Sequence, residues 1–223
     1  MSLPTLETPT FELTLPSTDM KVKYRPFLVK EEKILLQALE SAENKQIIQA
    51  LQDICHACTF GVLDVNKLPT FDLEYVFLQI RAKSVGEIAK VRLLCPDDKE
   101  TQVPVSIDLD DVNVAMFEEH TNEINLTDEI KIVFKYPQLD SFTKYSTESD
   151  TSKMVFELTA DCIEEVHFNE EITHKVDMSK KDLDEFIESL STEQFTLLIK
   201  FFETMPRLRH RIEVTNPKTE VTS

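Results

Sequence analysis

The sequence predicts an α+β protein: a mostly helical body with N-terminal, central and C-terminal β-hairpin elements. Three observations carry this. Apolar and polar residues alternate on both sides of Pro turns near each end and in the middle of the chain. Between them, apolar residues recur every three to four positions. Two serine-led capping sequences, at Ser179 and at Ser191-Thr-Glu-Gln194, mark helix starts close together.

The elements follow in order. Residues 11–25 alternate around Pro16-Ser17-Thr18-Asp19, with Phe11, Leu13 and Leu15 on one arm and Met20, Val22 and Tyr24 on the other, which predicts a hairpin. Ile34, Leu35, Ala38, Leu39 and Ala42 predict one amphipathic helix, and Ile47, Ile48, Leu51, Ile54, Cys55 and Cys58 a second, ending near Gly61. Thr70 begins a third, with Asp72 and Glu74 in the first turn, where the helix dipole favours acids. Val91, Leu93 and Cys95, then Pro96-Asp97-Asp98-Lys99, then Val103, Val105, Ile107 and Leu109 predict the central hairpin. Ile130, Ile132, Phe134 and Tyr136 read as a strand, 140–151 as a polar loop, 152–165 as a helix and 166–176 as an extended segment. Two closing helices start at Ser179 and Ser191. The expected organisation is therefore an arm and hairpin at 1–27, a three-helix block at 28–86, a hairpin and acidic strand region at 87–139, and a helical region with a short terminal strand at 140–223. One internal echo stands out: LLCPDDKETQV at 93–103 and EVTNPKTEV at 213–221 both read strand, Pro turn, strand.

Charge and glycine content exclude several function classes. The chain carries 24 Lys+Arg against 41 Asp+Glu, a net of −17. Residues 96–178 hold 6 basic and 21 acidic residues and so nearly all of the excess. Such a surface repels a phosphate backbone, so nucleic acid is not an expected partner. It either keeps the protein soluble or docks a basic partner, and Asp110, Asp111, Glu118 and Glu119 are the candidate contacts in the second case. Only two glycines are present, Gly61 and Gly86. Phosphate-cradling loops and nucleophile elbows need closely spaced glycines, so those enzyme signatures cannot form. No run approaches the roughly 18 apolar residues of a membrane span. The N-terminus lacks the pattern of an export signal, so the four cysteines are expected to be thiols in a reducing cytoplasm.

Cys55-His56-Ala57-Cys58 admits three readings: core packing, half of a zinc site, or a redox pair. Both cysteines fall on the apolar face of the second helix and at its end, away from the helix start that would activate a thiol, which favours packing. His167, Glu170, Glu171 and His174 lack any recognised metalloenzyme spacing. No catalytic residue, cofactor or metal is expected. Against the acidic background, Lys21, Lys23, Arg25 and Lys30 form a basic stretch interleaved with Tyr24 and Phe27. Arg and aromatic side chains are frequent interface anchors, so these six are candidate partner-binding residues. The alternative is internal: the aromatics cover the helical block and the cations meet the chain's own acids.

Four segments carry a resemblance: KVKYRPFLVKEEKILLQAL at 21–39, FDLEYVFLQIRAKSVGE at 71–87, CPDDKETQVPV at 95–105 and FIESLSTEQFTLLIKFFETMPRLRH at 186–210. Together they resemble the baseplate hub family of T-even-type contractile-tailed bacteriophages. The resemblance implies a non-enzymatic protein that acts in the host cytoplasm in assembly of the central baseplate hub, binding hub or tape-measure proteins. It leaves open whether the protein stays in the virion baseplate as a permanent structural subunit. A small metal-dependent hydrolase is the reading from a different class. The resemblance also implies a zinc-ribbon-like ancestry at the two Pro turns, where Asp98 and Asn216-Pro217 stand in place of further cysteines.

Overall fold

The computed structural model describes residues 7–139, 141, 144 and 151–223. The expected loop at 140–151 lies largely outside them. The fold is α+β, with helices interleaved among small antiparallel sheets. The chain forms two compact units. One comprises the described residues up to Val65, Phe71–Ala115 and Leu208–Ser223; the other comprises Asn66–Thr70 and Met116–Arg207.

In the first unit, β1 (Phe11–Thr14) and β2 (Lys21–Tyr24) pair antiparallel, Leu13 opposite Val22. The alternation places Leu13, Leu15, Val22 and Tyr24 in the core, while Met20 stays exposed at the turn. One residue of that turn is fastened elsewhere by two of its groups: the Ser17 amide donates to Asp72 Oδ1 at 3.1 Å and the Ser17 hydroxyl to Asp72 Oδ2. Helices α1 (Val29–Ser41), α2 (Asn44–Cys58) and α3 (Thr70–Val85) follow. α3 buries Phe71, Leu73, Val76, Ile80 and Ala82 and is the unit's central helix. α1 differs from expectation. Of the apolar positions that define its period, only Ala38 is buried, and Ile34 and Leu39 are exposed. Periodicity reports that a helix forms, not how much of its circumference the chain covers.

Strands β3 (Ile88–Leu94) and β4 (Gln102–Asp108) form the expected central hairpin, with Val91 opposite Val105. β5 (Asn113–Ala115) is short and pairs with β10 (Arg207–Arg209), near the C-terminus. Ala82, Leu109 and Val112 pack there with Leu208. The final residues close a narrow hairpin in which Val214 and Ser223 exchange both backbone hydrogen bonds.

In the second unit, β6 (Glu123–Asn125), β7 (Ile130–Phe134), β8 (Ile163–Phe168) and β9 (Glu171–His174) form one antiparallel sheet in that order. Its core joins Ile132, Phe134 and Ile163 of the sheet to Leu183, Ile187, Leu198 and Phe201 of the helices. Helix α4 (Thr151–Cys162) ends three residues short of the expected Glu165, because β8 begins at Ile163 and pairs with β7. Lys175 accounts for the abrupt end: its ammonium donates to the carbonyls of Ala160 and Asp161 at 2.6 and 2.9 Å, satisfying α4's last turn. The segment 166–176 is more ordered than a single extended stretch. It turns at Asn169 (φ 53°) and returns as β9. Helices α5 (Lys180–Glu188) and α6 (Thr192–Thr204) start where the capping sequences place them. The Ser179 hydroxyl accepts from the Asp182 amide, and the Ser191 hydroxyl from the Gln194 amide, each at 3.2 Å.

Candidate functional site

The six basic and aromatic residues of the N-terminal stretch divide between interior and surface. Tyr24 is core, and burial pushes its phenol pKa up. The Arg25 backbone N–H donates to the Cys58 carbonyl at 2.9 Å. Its guanidinium donates to Glu31 Oε1 at 2.9 Å and to the Pro26 carbonyl at 2.9 Å, and reaches Cys58 Sγ at 3.7 Å. Glu31 is buried, and its second oxygen accepts from the Leu28 N–H at 2.8 Å. Burial alone would raise the Glu31 pKa; the hydrogen bonds from Arg25 and Leu28 outweigh it and hold the carboxylate below its ordinary range. Arg25 thus joins β2, α1 and the end of α2. Phe27 is half-buried. Lys21, Lys23 and Lys30 point outward; Lys21 pairs loosely with Glu12 at 3.4 Å, and Lys30 with Glu31 at 3.3 Å.

Helix α1 shows a second outward feature. Val29 is 79% exposed and Leu36, two turns on, 53%; Leu28 and Leu39 are exposed with them. An exposed leucine alone is ordinary, but four on one short helix and its entry form an uncovered apolar face.

The acidic candidates divide between the two units. Asp110 and Asp111 lie on a short 3-10 turn of the first unit, where Asp110 pairs with Lys83 at 3.7 Å. Glu118 and Glu119 are exposed residues of the second unit.

The cysteines and histidines are occupied structurally. Cys55 and Cys58 are fully buried, and burial raises both thiols, Cys58 to about 11 despite the neighbouring Arg25. Burial also lifts Cys162, to about 12. All four cysteines are unpaired and buried. Native protein at pH 8 is therefore expected to react slowly with Ellman's reagent, and all four thiols are expected to titrate once guanidinium unfolds it. Rapid release of two equivalents from native protein would restore the redox reading of Cys55 and Cys58.

His120 is enclosed by Tyr136 and Phe201, at ring separations of 5.6 and 5.2 Å. Its Nδ1 lies 3.0 Å from Thr204 Oγ1, and its Nε2 3.0 Å from the Tyr136 hydroxyl. Thr204 donates its own proton to the Lys200 carbonyl at 2.9 Å, so it accepts from Nδ1–H, and the neutral ring accepts from Tyr136 at Nε2. Burial holds His120 below its ordinary pKa. Both ring nitrogens are engaged.

Of His167, Glu170, Glu171 and His174, the fold brings the two histidines together around a residue the sequence reading passed over. Glu165 lies 2.7 Å from His167 Nε2 and 3.2 Å from His174 Nδ1. It precedes His167 by two positions on β8 and stands opposite His174 on β9, so all three share one face of the sheet. Strand alternation from Glu165 to His167 was the available signal; the β8–β9 register was not. Among the described residues, no group of three or more His, Cys, Asp or Glu is placed to hold a metal ion.

The two Pro turns that echo one another in sequence share the pattern of one backbone hydrogen bond and one left-handed residue. The Lys99 N–H donates to the Cys95 carbonyl at 3.0 Å and the Glu220 N–H to the Asn216 carbonyl at 2.9 Å, with φ of 54° and 63° at the donors. The turns also touch. Asn216 Nδ2 donates to both Asp97 oxygens at 3.0 Å, and the Thr219 hydroxyl adds a third bond. These contacts hold Asp97 below the usual carboxylate range. The residues do not fit zinc. Cys95 is the one thiol, raised by burial and by the Asp97 and Asp98 carboxylates. Asp98 is saturated by the Thr101 hydroxyl and by the Thr101 and Glu100 amides, and Asn216 is committed to Asp97 and to the Lys218 amide. A ring of hydrogen bonds occupies the place where a structural zinc would need four ligands.

Comparison with known proteins defines the class of molecule: the chain is a bacteriophage baseplate protein. It belongs to the family described as T4 bacteriophage base plate protein, which matches residues 8–223. No curated protein and no solved structure matches it. Among the described residues, no helix is long and apolar enough to cross a membrane.

Proposed function

We propose that this baseplate protein is a non-enzymatic factor in assembly of the central hub. It acts in the host cytoplasm by covering an interface on a hub or tape-measure protein. The observation that carries this reading is the uncovered apolar face of α1, formed by Val29, Leu36 and Leu39, with Lys30 exposed on the same helix. A face of this kind, left open by the chain's own fold, gains stability when another protein covers it, at about 25 cal/mol per Å² of apolar surface removed from water. Lys30 supplies a cation at its edge and favours an acidic group on the partner.

Leu36→Glu with Leu39→Glu tests it. In cells co-expressing the phage baseplate proteins, the variant is expected to lose at least about tenfold in co-purification with hub or tape-measure proteins identified by mass spectrometry. The melting temperature is expected to stay unchanged, since both side chains are exposed. Undiminished co-purification would refute this use of α1. A second reading, a permanent structural subunit, is favoured by the family's description as a base plate protein. Quantifying the chain in purified virions against infected-cell lysate separates the two: an assembly factor is depleted from virions, and a subunit is present at a fixed ratio to other baseplate proteins.

A further inference from the structure

We propose that the groove between α4 and α5 is a docking site for a segment of a different protein, one that presents a single apolar side chain flanked by lysine or arginine. The inference rests on the binding role proposed above but assigns a surface of the other unit, independent of α1. The groove encloses about 330 Å³ and is lined by Lys153, Phe156 and Glu157 of α4 and by Asp184, Ile187 and Glu188 of α5. Ile187 is buried and belongs to the unit's core, so the groove has a rigid apolar floor. Phe156 forms the wall. Its ring stacks on Phe195 of α6 at 4.5 Å and 14°, yet 42% of the residue remains exposed. A stacked aromatic held open to water is a preorganised apolar contact: a partner covering it removes apolar area while ordering little that is not already ordered.

The rim decides the partner's sign. Among the described residues, three of the six that line it are acids and one is basic. Lys180 approaches Glu157 at 3.5 Å, at the N-terminal end of α5. Asp184 and Glu188 lie further along that helix, and its last turn carries no basic residue. The partial negative charge of a helix C-terminus therefore adds to the carboxylates there. A cation entering beside an apolar anchor meets favourable potential, and an anion meets repulsion. The excess negative charge at 96–178, where Glu157 lies, strengthens the same preference at long range.

The test uses the full chain and two labelled peptides followed by fluorescence anisotropy. One carries a phenylalanine between paired arginines; the other has glutamates in place of the arginines. The arginine peptide is expected to bind saturably and the glutamate peptide at least about tenfold more weakly. Raising salt from about 0.1 M to about 1 M, which cuts the screening length from ~10 Å to ~3 Å, is expected to weaken the arginine peptide several-fold. Glu188→Lys, at an exposed position, with Asp184→Asn, which removes the half-buried charge at the same size, is expected to weaken it at least about tenfold at a melting temperature changed by no more than a few degrees. Phe156→Ser is expected to weaken it by a similar factor; if that variant melts early, the charge-altered protein still decides the matter. No saturable binding, equal affinity for both peptides, or indifference to the charge change would overturn the proposal. Dimerisation of the chain that Phe156→Ser abolishes would also overturn it, since the occupant would then be a second copy. Failure here with α1-dependent co-purification intact would reject the groove and leave the assembly role standing.

Discussion

Arg25→Ala is expected to destabilise the N-terminal unit by about 3 kcal/mol, because it leaves the buried Glu31 carboxylate with only the solvent-exposed Lys30 ammonium, 3.3 Å away, as its cation. The pair lies at 2.9 Å with side chains only 12% and 4% exposed, so water cannot replace the missing guanidinium. The same substitution removes the donors to the Pro26 carbonyl and to Cys58 Sγ. Urea unfolding measures the loss. Arg25→Met with Glu31→Gln is expected to recover much of it, since no buried charge remains and glutamine can still accept from the Leu28 amide. The pH dependence carries a sign. Glu31 is held below its ordinary value of 4.5, so its contribution is complete above that value and is lost as pH falls through the lower, folded value. The acid limb of the stability curve is therefore expected to flatten in Arg25→Ala. A melting temperature unmoved by Arg25→Ala would refute the buried-pair account and return Arg25 to the candidate contact residues.

Phe201→Ala is expected to cost about 3–5 kcal/mol and to loosen the second unit as a whole. Phe201 is fully buried, and four aromatic neighbours meet it: Phe134 at 4.8 Å, Phe202 at 5.1 Å, His120 at 5.2 Å and Tyr136 at 5.7 Å. Its removal opens a cavity at the junction of the sheet and α6, where stacked rings cannot collapse without breaking the His120 hydrogen bonds to Thr204 and Tyr136. Those bonds supply a second readout. His120 is kept neutral by burial, with its pKa lowered from 6.5, so its contribution is whole above that value and falls away as pH drops toward the folded pKa. His120→Gln is expected to remove this portion of the pH dependence. Denaturation followed by tyrosine fluorescence measures both effects. A loss below about 1 kcal/mol for Phe201→Ala would show that α6 is not the central core helix of its unit.

Elements governed by short-range physics are legible in the amino-acid order. The hairpin at 11–25 was legible because alternation and turn chemistry act within a few residues. The starts of α5 and α6 were legible because each capping box closes over four positions. The family was legible in segments spread along the chain. What only the tertiary structure decided depends on partners far apart in sequence. The helix expected to reach Glu165 stops at Cys162 because β7 claims Ile163 and Lys175 seals the open carbonyls. Arg25 reads as a surface contact until the fold places it against Glu31 and the end of α2. Glu165 drew no notice until β9 folded back to bring His174 beside it. In α1 the apolar period was visible, but whether Leu36 and Leu39 would be covered was not, because burial is set by which elements pack alongside a helix rather than by the helix's own spacing.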